Sequence, residues 1–120
     1  MVNWFGITDV PDMLQGPNIR SYALSWFGSS PQRMTLAREL SPVSHARKDG
    51  PAVLTIHGDA DTLVPYAHAQ RLKQAMDKAG QKNQLLTVKG GGHGDFSAAQ
   101  QLANCEAIRA FLRERGLISP

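Results

Sequence analysis

Apolar residues along the chain form three short runs separated by longer mixed segments. The runs cover residues 2–6, 52–56 and 84–88, and each ends at a glycine or within two residues of one. Short β-branched and apolar runs between turn residues are typical of buried strands. The pattern therefore predicts three strands, the first of which begins with Val2 and ends at Gly6.

A helical period follows the second strand. Its apolar positions recur at intervals of three and four residues: Leu72, Ala75, Met76 and Ala79. Charged residues occupy the other side of this segment, and Gly80 follows as a stop signal. We expect an amphipathic helix that connects the second and third strands.

A second helical stripe follows the third strand. It consists of Leu102, Cys105, Ile108 and Leu112, with Gly116 placed where a C-terminal capping glycine belongs. The stripe predicts a final helix and places Cys105, the only cysteine, in the core as a small apolar residue. It gives no sign of an activated thiol.

The stretch from residue 9 to residue 49 is irregular and rich in proline and glycine. It predicts a loop-rich crossover or lid, with one short helix over residues 34–40. We interpret Trp26 and Phe27 in this stretch as packing residues.

The predicted domain is single and covers residues 1–120, with the first strand and crossover in 1–50 and two strands with two helices in 51–120.

Strands that alternate with helices through short connections pair in parallel. The predicted fold class is therefore α/β, with about three parallel strands and helices flanking the sheet. Three strands make a small sheet.

Composition excludes several other classes of protein. The chain has 120 residues, 42% of them hydrophobic, and a formal net charge of +3. It has no repeat, no low-complexity tract and no apolar run near the ~20 residues that span a bilayer. We expect no secretion signal and a cytoplasmic setting. Lys and Arg are scattered over helix faces without a nucleic-acid motif, so no nucleic-acid or membrane partner is expected.

Polar residues that could carry chemistry follow the second and third strands. Asp59 and Asp61 come after one strand, and His93 lies in a glycine-rich loop after the other. The carboxyl ends of parallel strands meet at one edge of a sheet, where active sites collect. A carboxylate that accepts the Nδ1 proton of histidine prepares Nε2 to act as a general base. Asp61 and His93 form the predicted pair, and Asp59 is the alternative acid.

Two other uses of these loops are less favoured. A metal site from His57, His93 and the aspartates would lack the ordered ligand spacing of zinc sites. The glycine run before His93 lacks the Lys-Ser/Thr of a phosphate-binding loop. No metal and no organic cofactor is expected.

Residues 57–65, His-Gly-Asp-Ala-Asp-Thr-Leu-Val-Pro, resemble the HGxxDxxVP loop of α/β-hydrolase esterases, lipases and prolyl-oligopeptidase-like (S9-type) peptidases. Residues 91–94, Gly-Gly-His-Gly, resemble the histidine loop of the same family. Residues 3–9 are similar to the strand and turn that follow the nucleophile helix there, and residues 40–43 resemble the Ser-Pro segment that precedes the acid strand. The resemblance implies a serine hydrolase in which Asp61 and His93 are the acid and base, and His57 bonds the loop backbone.

The resemblance covers only the carboxyl-terminal half of that family's domain. The G-x-S-x-G nucleophile motif and the oxyanion loop do not occur in the sequence. Ser29 and Ser30 follow Gly28 but have neither a strand before them nor the second glycine. The resemblance therefore implies a partial α/β-hydrolase fold in which the amino-terminal half of the sheet is absent.

Three functions remain open. The first is carboxylic ester hydrolysis after the chain joins a nucleophile-bearing half; the second is a folded fragment without activity; the third is a peptidase. The uncovered strand edge at residues 2–6 predicts a homo-oligomer or pairing with the missing half. The resemblance also implies an alternative role for Trp26 and Phe27, because such hydrolases build acyl pockets in the region where these two residues lie.

Overall fold

Three parallel strands form the centre of the computed structural model, which describes residues 1–119. The strands are β1 (Val2–Trp4), β2 (Val53–Gly58) and β3 (Asn83–Val88), side by side in that order. Ile56 in β2 lies opposite Trp4 on one side and Leu86 on the other. The predicted α/β class, an open parallel sheet with flanking helices, is confirmed.

Strand β1 is shorter than predicted. Its last residue is Trp4, and Phe5 has a left-handed backbone with a φ of 41°. Strand β2 is longer than predicted and extends through His57 to Gly58. Its six residues are all buried, so the loop carrying Asp61 starts from the most protected part of the sheet.

Four α-helices accompany the sheet: α1 (Ser21–Phe27), α2 (Arg33–Glu39), α3 (Ala67–Ala79) and α4 (Ala98–Glu114). Three short 3₁₀ turns cover Val10–Met13, Gly16–Asn18 and Pro42–His45. The predicted helix over residues 34–40 corresponds to α2. The sequence pattern did not indicate α1, which has seven residues and buries only Ala23.

Helices α3 and α4 cover opposite faces of the sheet, because successive side chains of β2 point to alternate faces. Val53 packs with Leu72 and Met76 of α3. Leu54 and Ile56 pack on the other face with Phe111 of α4. The predicted helix before Gly80 is confirmed, and Gly80 has the left-handed φ of 71° that its capping position requires.

Half of the stripe predicted for α4 packs on the sheet, because Ile108 and Leu112 lie against the apolar cluster there. Leu102 is 62% exposed and Cys105 is also exposed, so their assignment to the core was wrong. Phe111, at 1% exposure, is the main anchor of the helix. Nine residues, about two and a half helical turns, separate Leu102 from Phe111, so the two side chains lie on opposite sides of the helix.

The first turn of α4 is closed by a capping box. Ser97 Oγ accepts a hydrogen bond from the Gln100 backbone N–H, and Gln100 Oε1 accepts one from Ser97 N. These bonds satisfy two backbone donors that the helix itself leaves free.

We expect Ser97→Ala to lower the free energy of unfolding by about 1 kcal/mol, because the Gln100 N–H loses its partner. Chemical denaturation measures this change. Ser29→Ala is the matched control, at an exposed position that caps no helix, and should change stability by less than about 0.5 kcal/mol. Equal stability of the Ser97 and Ser29 variants would contradict the capping assignment.

A buried histidine ties α3 to the chain that follows β1. His68 is fully buried, and its Nδ1 accepts hydrogen bonds from the backbone N–H groups of Thr8 and Asp9 at 3.2 and 3.3 Å. Nε2 lies 3.2 Å from an Asp12 carboxylate oxygen. Arg71 binds both Asp9 and Asp12 at 2.9 and 2.8 Å. This network fixes residues 8–12 against the helix.

Burial, reinforced by the nearby Arg71 charge, lowers the pKa of His68 below its usual 6.5, although Asp12 and Asp9 oppose the shift. The unfolded chain therefore takes up this proton at higher pH than the folded protein. The stabilisation is complete above about pH 6.5 and is lost as the pH falls through the folded-state pKa.

We therefore expect the unfolding free energy to decline between pH 7 and 5, and to decline less in His68→Asn, whose amide oxygen can accept the same backbone bonds. Urea denaturation across this range measures both slopes. The hydrogen bond from Arg71 lowers the pKa of Asp12 below its usual 3.8, so its contribution is lost only at more acidic pH. Parallel curves for the two proteins would contradict the assignment to His68.

Within residues 1–119, no helix is both long enough and apolar enough to cross a membrane.

Candidate active site

The two loops that follow β2 and β3 lie in direct contact. The Ala60 N–H donates to Gly91 O at 3.0 Å, and the Asp59 N–H donates to Val88 O at 3.2 Å. A Cβ on Gly58 would lie 2.1 Å from Gly91 O, so only glycine permits this approach. The close approach places Asp61 and His93 within reach of each other.

Asp61 is held by its own loop. Its Oδ1 accepts hydrogen bonds from the backbone N–H groups of Leu63 and Val64, both at 2.9 Å. The carboxylate is fully buried. An aspartate that bonds the backbone two and three residues later forms a tight local turn. The carboxylate therefore has one fixed orientation, with Oδ2 directed away from its own loop backbone.

Asp61 Oδ2 lies 2.8 Å from His93 Nδ1. An ionised carboxylate can only accept, so Nδ1 carries the proton and neutral His93 keeps a lone pair on Nε2. The His93 side chain is 30% exposed, and its Nε2 has no hydrogen-bond partner among residues 1–119. This is the tautomer that a general base requires.

His57, near the end of β2, bonds the backbone of the same loop. Its Nε2 donates to Val64 O at 2.9 Å and lies 3.2 Å from Asp61 Oδ2. The ring is fully buried at the end of β2. Its contact with the loop backbone agrees with the structural role that the resemblance implied.

The alternative acid and the alternative serines lie elsewhere. Asp59 is exposed and its carboxylate accepts a hydrogen bond from Gly90 N at 2.7 Å, whereas His93 bonds Asp61. Ser29 and Ser30 follow helix α1 and its capping Gly28, so no strand presents them as a nucleophile turn. In the described part of the chain, no three His, Cys, Asp or Glu side chains converge as metal ligands would.

An apolar pocket of about 320 Å³ adjoins His93. Its lining consists of Phe5, Ile7, Tyr22, Trp26, Leu63, Val64 and His93. Trp26 is 57% exposed and lines this pocket, so its interpretation as a packing residue was wrong and the alternative of a pocket residue fits its position. Its ring centroid lies 5.5 Å from that of Tyr22. Burial raises the pKa of the Tyr22 phenol above its usual 10.0.

Sequence reasoning missed Phe5 and Tyr22 as site residues. Phe5 follows β1 directly and so stands at the same sheet edge as Asp61 and His93, where the rule for strand ends could have found it. Tyr22 lies on α1, which the pattern did not predict, and no signal in the sequence marks it.

Solved esterase structures share this fold. The chain superimposes on Est2, a thermophilic esterase from the Planctomycetes species Thermogutta terrifontis, with a TM-score of 0.74 and 24% identity, covering 99% of this chain and 43% of that one. It matches a truncated form of a carbohydrate esterase from gut microbiota with a TM-score of 0.69 and 32% identity, covering 92% and 42%. The fold is thus that of the α/β-hydrolases.

Residues 1–76 match the model of the BD-FAE family, and the chain belongs to this family of α/β-hydrolase-type esterases. A curated relative, the non-reducing polyketide synthase Preu6 of Preussia isomera, is 34% identical over 68 residues, which is 55% of this chain and 3% of the synthase. The chain therefore spans less than half of both esterase chains and a small part of the synthase.

Proposed function

We propose that this chain provides the acid and the base of a serine carboxylesterase. The observation that carries the proposal is the 2.8 Å contact between His93 Nδ1 and the buried Asp61 carboxylate, beside an apolar pocket. Between ester and amide substrates we propose esters, because the family and the solved neighbours are esterases.

In the proposed reaction, His93 Nε2 takes the proton of a serine hydroxyl while the serine oxygen attacks the ester carbonyl. The imidazolium then donates that proton to the departing alkoxide, which leaves an acyl-serine. Water attacks the acyl-serine in the same way, with His93 accepting the water proton and returning it to the serine oxygen. Asp61 holds the imidazole tautomer and stabilises its positive charge throughout.

The serine and the oxyanion donors belong, in this proposal, to polypeptide outside these 120 residues. Strand β1 pairs with β2 on one edge, and within residues 1–119 no strand covers its other edge. We propose that this edge receives the part of the sheet that carries the nucleophile from an amino-terminal half; a second copy of the chain could cover the edge but would bring no nucleophile motif.

A second candidate is a folded chain without turnover. It is favoured by the lack of a G-x-S-x-G motif in the sequence, because a general base without a nucleophile and oxyanion donors has little to act on. For the isolated 120 residues both candidates give the same expectation: p-nitrophenyl acetate hydrolysis should be equal in the native chain and in His93→Ala.

A hybrid enzyme separates the two candidates. In it, this chain replaces the stretch that it matches in the gut-microbiota carbohydrate esterase. A fluorophosphonate, which labels activated serines, should modify the folded hybrid and should fail to modify its His93→Ala variant. A hybrid that is folded by circular dichroism but is not labelled would overturn the esterase proposal and leave the non-catalytic one.

A further inference from the structure

Phe5 contacts the proposed base directly. Its ring centroid lies 4.6 Å from that of His93, with the two ring planes at 57°. The next residue, Gly94, also approaches the Phe5 ring, because a Cβ on Gly94 would lie 3.1 Å from Phe5 Cζ. The histidine loop therefore rests on the Phe5 ring at two successive residues.

The backbone of Phe5 is unusual. It is the one non-glycine residue with a positive φ among residues 1–119. Bulky side chains rarely adopt this conformation, and such residues persist only where the surrounding structure fixes them. Here the Phe5 N–H donates to Ile56 O at 2.8 Å, and a Cβ on the next residue, Gly6, would lie 2.4 Å from Asn3 Oδ1.

The left-handed backbone changes where the ring points. In a continuing strand, Phe5 would lie on the face of the sheet opposite to Trp4. Instead both rings belong to the same apolar cluster and both stand near Phe96, with centroids 6.5 Å away for Trp4 and 6.1 Å for Phe5. The conformation thus brings an aromatic ring to the loop of His93.

We propose that Phe5 is the positioning residue for His93. The Asp61 hydrogen bond fixes one ring nitrogen of the histidine but leaves the imidazole free to tilt about that contact. The Phe5 ring lies against the imidazole and restricts this tilt, which keeps Nε2 toward the pocket. This inference rests on the proposed role of His93 as the base, but the contact and its effect on the imidazole can be measured without any turnover.

The test is proton nuclear magnetic resonance of the imidazole Nδ1–H in the 120-residue chain. The His93→Gln variant assigns the signal, because it removes that signal alone among the four histidines. We expect a sharp low-field Nδ1–H resonance in the native chain and in Phe5→Tyr. In Phe5→Leu the resonance should broaden or vanish at the same pH and temperature, because the Asp61 hydrogen bond becomes intermittent.

The matched control is Phe111→Leu, which makes the same substitution in the same apolar cluster. It should destabilise the fold yet leave the His93 resonance sharp, whereas a purely structural role of Phe5 would make the two variants alike. If Phe5→Leu does not fold, Phe5→Met carries the same test. An unchanged His93 resonance in the folded Phe5 variant overturns the proposal, and so does the lack of a nuclear Overhauser effect between the two rings in the native chain.

Discussion

His93→Ala is expected to lower kcat/KM for p-nitrophenyl acetate by about 10⁴-fold in the hybrid enzyme. The imidazole accepts the serine proton in one step and returns it to the leaving group in the next, so its loss affects both halves of the reaction. The oxyanion donors and the binding pocket remain, and a residual rate above that of water should persist.

The matched control is His45→Ala. His45 is exposed in the turn Pro42–His45 and bonds Glu39 O rather than any residue of the site. Steady-state kinetics of the two variants should therefore differ by about four orders of magnitude. Equal activity of His93→Ala and the unmodified hybrid would show that another group accepts the proton.

The second large effect is expected from Gly58→Ala. A Cβ at this position would lie 2.1 Å from Gly91 O and 2.6 Å from Gly92 O, and neither backbone atom can move away without displacing the histidine loop. We expect the free energy of unfolding to fall by about 3 kcal/mol or more. The loops that carry Asp61 and His93 would separate, and activity in the hybrid should be lost as well.

Gly90→Ala is the control for this substitution. It lies in the same histidine loop and has a φ of 67°, but no atom stands within 4 Å of its Cβ position. Its cost should be limited to the left-handed backbone, about 1 kcal/mol. Urea denaturation compares the two chains, and equal losses of stability would refute the steric account of Gly58.

The meeting of an aspartate with His93 could be predicted from the order of elements, and the resemblance of residues 57–65 to the HGxxDxxVP loop favoured Asp61 over Asp59. Both residues follow buried parallel strands, and the ends of such strands meet at one edge. The hydrogen bonds from the backbone to Asp61 could also be predicted from the residue type, since aspartate commonly accepts from backbone N–H groups just after it. These features need no knowledge of side-chain packing.

The rotation of α4 could not be predicted in the same way. Its apolar residues occur on more than one side, with Leu102 and Cys105 on one and Phe111 on another. Packing against the sheet determines which side of the helix faces inward, because Phe111 packs against Leu54 and Ile56. The direction of the Phe5 ring could not be predicted either, because a single residue with a left-handed backbone produces no periodic pattern in the sequence.

The most direct measurement of the central claim is a double-mutant cycle in the hybrid, with kcat/KM determined for Asp61→Asn, for His93→Ala and for the double variant, and Asp59→Asn as control. If the two residues act as one acid–base unit, each single variant loses at least about 10³-fold and the double variant is hardly worse than His93→Ala. Asp59→Asn should keep nearly full activity. Full activity in Asp61→Asn, or losses that simply multiply in the double variant, would contradict the account.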